Sequence, residues 1–135
     1  MKKILLAALL ASVSFSSFAQ TQQWYTIDRS ADDHVFDVQL QSGKFEKNGN
    51  GENVYMAMFR YVFQGKTEYF QEYVRLSDCA QGYGETTAVD LRGNFLYSNN
   101  MNLSGETIAD AIARALCSAA TTAMKQYKEK SVPSI

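Results

Sequence analysis

The stretch Ala113–Met124, "ARALCSAATTAM", decides how this chain folds. Alanine is the best helix former, and here it recurs around a single thiol, Cys117. Ile108, Ile112, Ala115, Leu116, Ala119, Ala123 and Tyr127 return at helical spacing and predict an amphipathic helix running to about Lys128 or Lys130. Ser104 is the expected N-cap, with Glu106 in the first turn. Asp110, Arg114, Lys125 and Lys128 are expected to face away from the apolar stripe or flank it. Small side chains on such a helix allow close approach to a surface of large rings. The thiol lies on the flank of the stripe, beside Ala113 and Ala120, so it faces the body of the protein or its border.

What that thiol meets depends on the compartment. Residues 1–19 open with Lys2 and Lys3, continue as an apolar run and close on Ser17-Phe18-Ala19. This is the layout of a secretory signal peptide cut after Ala19. The apolar run is shorter than the roughly 20 residues a spanning helix needs. No cysteine sits near the cut, so no lipid anchor is indicated. The expected product is a periplasmic or secreted chain, with a single domain over residues 20–130 and a frayed tail over 131–135.

In an oxidising compartment two cysteines tend to pair, and this chain has two, Cys79 and Cys117. A bond between them would close a loop of about 40 residues, a constraint of about 3.5–4 kcal/mol. The competing readings are an unpaired or redox-active thiol and a zinc site. The first lacks a local motif linking either cysteine to His34, the only histidine. The second is a ligand short.

Upstream of the helix the chain alternates in the manner of sheet. "WYTIDR" (24–29) and "HVFDVQL" (34–40) read as strands. "QSGKFEKNGNGEN" (41–53) reads as a turn or mobile loop because of its Asn-Gly pairs. "VYMAMFRYVFQ" (54–64) and "TEYFQEYVRLS" (67–77) flank Gly65-Lys66 as a long hairpin. In its first arm Tyr55, Ala57, Phe59, Tyr61 and Phe63 share one face, and Val54, Met56, Met58, Arg60 and Val62 the other. "DCAQGYGE" (78–85) reads as a loop. "TTAVDLR" (86–92) and "FLYS" (95–98) read as a second hairpin, and "NNMNL" (99–103) as a connection to the helix. The outline is α+β: an antiparallel sheet of about six strands with one C-terminal helix packed on it and tethered by a disulfide.

Composition narrows the function. Without Lys2 and Lys3 the basic residues fall from 13 to 11 against 14 acidic ones, a net charge of −3. No basic stripe is present, so nucleic-acid binding lacks its electrostatic footprint. No further apolar run is long enough for an integral span. "DRSADDH" gathers Asp28, Asp32, Asp33 and His34, but without the order of a calcium loop; it reads as turn formers, not a metal site. Glu68 and Glu72, four apart on one strand, share a face; with Arg60 and Arg75 they are expected to form a charge-paired wet face. No nucleophile elbow or phosphate-binding loop is present, so neither an enzyme nor a cofactor is expected. Tyr55, Tyr61, Tyr69 and Tyr73, with Arg60 and Arg75, are the candidate partner-binding residues, since tyrosine and arginine dominate protein-binding hot spots. The same tyrosines also suit a sheet core under the helix. An unpaired sheet edge could zip two copies into a homodimer.

The layout resembles the surface-adhesin protein E family of Gram-negative bacteria. The residues that carry the likeness are "WYTIDR", "HVFDVQL", "LSDCAQG", "AVDLRGNFLYS" and the helix with Cys117. The resemblance implies a curved antiparallel sheet with a C-terminal helix tethered by one disulfide, Trp24 as a core ring, and a protein ligand from the host matrix or the envelope. The alternative from a different class is a periplasmic inhibitor or immunity protein that blocks a toxin or hydrolase, with "EKNGNGEN" (46–53) as the plug.

Overall fold

The computed structural model describes residues 23–29 and 33–131. The expected signal peptide (1–19), residues 30–32 of the first turn and the tail beyond Ser131 lie outside the described residues. Six strands follow one another as an antiparallel meander in the order β1-β2-β3-β4-β5-β6. They are β1 (Tyr25–Arg29), β2 (Val35–Lys47), β3 (Asn53–Phe63), β4 (Lys66–Arg75), β5 (Tyr83–Val89) and β6 (Phe95–Asn102). A short helix α1 (Leu76–Gln81) separates β4 from β5, and α2 (Ile108–Ser131) closes the chain. Phe36 of β2 and Tyr97 of β6 line one cavity, so the sheet curls toward itself. The long helix lies across its inner face and touches all six strands.

The expected hairpin is present within two residues at each end, with Phe59 opposite Phe70 and Arg60 opposite Tyr69. Its period-two pattern separates the faces. Val38, Tyr55, Ala57, Phe59, Phe70, Val74, Ala88 and Met101 converge on Ile112, Ala113, Leu116, Cys117 and Ala120 of α2 to form one core. Cys79 and Cys117 are joined, with Cα atoms 5.5 Å apart and a sequence separation of 38. The staple therefore runs from α1 to the buried face of α2.

Several local expectations are corrected. Residues 41–47 are strand, not loop: β2 runs on to Lys47 through an irregularity between Gln39 and Lys44. Ser42 bridges that break, its hydroxyl donating to the Gln39 carbonyl and accepting from the Met58 N–H. Gly43 sits under the Tyr55 ring, where an added Cβ would lie 2.0 Å from the phenol oxygen. The remaining turn, Asn48–Glu52, is held by the Asn48 side chain, which accepts from the Asn50 and Glu52 amides.

The "DCAQGYGE" segment is not a loop: α1 covers residues 76–81 and β5 starts at Tyr83. Gly82, at φ 90°, ends α1 in the left-handed region that glycine tolerates. Asp78 anchors the corner, accepting from Arg75 Nε, Gln81 Nε2 and the Glu85 amide. "NNMNL" is likewise strand as far as Asn102, since β6 pairs with β5 throughout.

The long helix starts at Ile108, so its cap is Thr107, not Ser104. Thr107 Oγ1 accepts from the Asp110 amide while Asp110 Oδ2 accepts from the Thr107 amide, a reciprocal capping box. Asp110 also accepts from the Asn102 amide. These backbone donors, first from Asn102 and then from Thr107, hold its carboxyl below the usual range. Asp110 is thus buried at the helix start instead of facing away. The buried stripe is rotated toward Ala113, Cys117 and Ala120, leaving Ile108 and Tyr127 exposed. Among the described residues no helix is long and apolar enough to cross a membrane.

Candidate functional site

The six candidate residues divide between the two faces of the sheet. Tyr55 and Tyr61 point inward. Tyr55 is buried in the core, which holds its hydroxyl above the ordinary tyrosine value. Tyr61 stands near the open end of the inner face, packed on Phe36 with ring centroids 4.7 Å apart and hydrogen-bonded to His34 Nδ1. Arg60, Tyr69, Tyr73 and Arg75 occupy the outer face, on adjacent strands β3 and β4.

The outer group begins with an ion pair. Arg60 grips Asp37, its Nε and Nη2 lying 3.0 and 2.7 Å from Oδ2. Thr26 Oγ1 donates to the other oxygen of Asp37 at 2.8 Å. Asp37 is buried, and these three bonds are what a buried carboxylate requires. The guanidinium lies over the Trp24 ring, 4.4 Å from its centroid, a cation–π geometry. Trp24 in turn packs against Tyr69 at 5.9 Å. Trp24 is therefore not the core ring the resemblance implies. It follows the alternation of β1 onto the outer face, where Arg60 offers its planar cation. Tyr69 is 48% exposed.

Further along, Tyr73 faces Met56, and Arg75 faces Val54. Arg75 pairs with Asp78 at 2.9 Å and with Glu52 at 3.5 Å. The Asp78 bond, assisted by surrounding acids, raises its already high pKa. Among the described residues, no second layer packs over this face: α2 lies across the inner one.

The expected wet, charge-paired face does not form. Glu68 and Glu72 do share a side, but it is the inner one, and both arginines point the other way. Glu72 is fully buried between Ala57 and Ala88 on the neighbouring strands. Neither of its oxygens, nor the Thr86 hydroxyl beside it, completes a hydrogen bond of normal geometry. Burial pushes the carboxyl up to about 7, with Thr86 offsetting part of the rise. Tyr97 is raised to about 12, first by its own burial and then by the Glu72 charge.

Of the acidic turn before β2, Asp32 lies outside the described residues, and His34 packs on Phe63 at 3.9 Å and bonds Tyr61. Among the described residues, no three His, Cys, Asp or Glu side chains are grouped to hold a metal. Sequence reasoning missed Trp24 and Asp37 as parts of the outer surface. Alternation alone could have placed both with Arg60, since Trp24 and Thr26 share a face of β1, and Val35 and Asp37 one of β2. No protein-family model matches the chain, and no curated protein or solved structure matches it either.

Proposed function

We propose that this is an exported, non-catalytic protein-binding domain of the surface-adhesin protein E type, which holds a host or envelope protein on its outer sheet face. The observation that carries the reading is the single row of Trp24, Arg60, Tyr69, Tyr73 and Arg75 on the face opposite the helix. Tryptophan, tyrosine and arginine are the residue types that dominate hot spots. Arg60 is already pinned by Asp37, so little of its side-chain freedom is lost on binding. Photo-crosslinking tests the reading: a crosslinker at position 69 should capture a defined protein in intact cells, and one at position 118, on the exposed side of α2, should not. Equal capture from both positions, or none from 69, rejects it.

A second reading, an inhibitor or immunity protein, draws support from the stiff β2–β3 tip. Asn48 closes that turn with two backbone bonds, which suits insertion into a cleft. Under this reading, replacing residues 48–52 by a plain two-residue turn abolishes capture while Tyr69→Ala leaves it intact.

A further inference from the structure

The inner face is not wholly covered. Beyond the start of α2 a cavity of about 280 Å³ opens, with walls that include Phe36, Tyr61, Glu68, Phe70, Leu96 and Tyr97. That is just below the ~300–1,000 Å³ usual for drug-sized ligands, so it suits a small head group. We propose that this cleft binds an organic cation bearing alkyl groups, an alkylated ammonium, with ring faces around the alkyl shell and Glu68 as the counter-charge. It opens on the opposite face from most of the partner surface proposed above and shares only Tyr69 with it.

Three features point to a cation. The first is the ring content: four of the named walls are aromatic, and ring faces attract positive charge by their quadrupole. Two of them are held in place, Tyr61 by its bond to His34 and Phe36 by packing on Tyr61. The second is the charge. Glu68 is exposed and, among the described residues, pairs with no cation. Lys66, its neighbour on the same side of the strand, does not reach it. The third lies behind the wall: Glu72 is four residues along the same face, and once ionised, above about pH 7, its charge is felt at Tyr97. A neutral apolar ligand would use the rings and ignore Glu68. An anion would be repelled. A bare metal ion would find, among the described residues, no group of three ligands. An alkylated ammonium uses both the rings and the charge.

The test compares choline with its neutral isostere 3,3-dimethyl-1-butanol, titrated into the exported protein while the ring protons of Phe36, Tyr61 and Tyr97 are followed by NMR. Choline should shift these signals saturably, and the isostere should bind about tenfold more weakly. Glu68→Gln, at an exposed position that leaves the fold intact, should remove most of that preference without weakening the isostere. A third arm, the N-acetyl amide of trimethyllysine, identifies the carrier: tighter binding than choline assigns the site to a protein side chain, equal binding to a free small cation. Equal affinity for choline and the isostere, or no shift with either at millimolar concentrations, overturns the proposal.

Discussion

Asp37 and Glu72 are both buried acids on the same sheet, one on each face, and their surroundings are opposite. Asp37 lies across from Arg60 in the β2–β3 register and receives three hydrogen bonds. Glu72 lies between two alanines and receives none of normal geometry. The outer face can keep its charges because it is thin, with aromatic and ionic partners within reach of one another. The inner face is dry, because the stapled helix seals it, and an acid caught there gives up its charge instead. The same curvature that buries Glu72 leaves the far end of the inner face open around Tyr61 and Glu68.

The comparison is broken most severely from the dry side. Phe59→Ala removes a fully buried ring stacked on Phe70 and should cost about 3–5 kcal/mol in chemical unfolding. Cys117→Ser opens the staple; on the chain-entropy model it should cost about 4 kcal/mol in the same assay.

Glu72→Gln should act with the opposite sign. In the folded protein its carboxyl titrates near 7, above the ordinary 4.5. Below about pH 4.5 the acid is neutral in both states and the substitution should change little. As pH rises from about 4.5 to 7 the wild type loses stability that the glutamine variant keeps. By pH 8 the variant should be more stable by up to about 3 kcal/mol, as read from the pH dependence of Tm.

Arg60→Ala sharpens the contrast by removing the charge paired with Asp37 and leaving it Thr26 as its one side-chain donor. It should destabilise by about 1–3 kcal/mol in chemical unfolding at neutral pH.

Much of the architecture is legible in the residues themselves. The alternation in residues 54–77 announces the central hairpin and sorts its faces. A lone pair of cysteines behind a segment with the layout of an export signal suggests the staple, and alanine at Ala113, Ala119 and Ala120 suggests a helix seated close on rings. What escaped depends on contacts that local patterns do not carry. The Asn-Gly pairs near 48–51 hide that β2 passes through Gly43, because the requirement there comes from the Tyr55 ring above it. Ser104 and Thr107 are equally good caps by type; the distinction lies in Asp110, three residues after Thr107, which closes the box. Glu72 reads as a surface residue because glutamate is almost never buried unpaired. The resemblance implies Trp24 as a core ring, yet a cation on the neighbouring strands gives it a better place outside.

The account stands on a division of labour between the faces, and the double substitution Tyr69→Ala/Tyr73→Ala measures it most directly. Two quantities are read on the same preparation: the thermal midpoint, and recovery of partner from envelope extract against the unaltered protein. The account predicts a midpoint within a few degrees of the parent together with loss of the recovered partner. A large fall in the midpoint, or undiminished recovery from a folded variant, would contradict it.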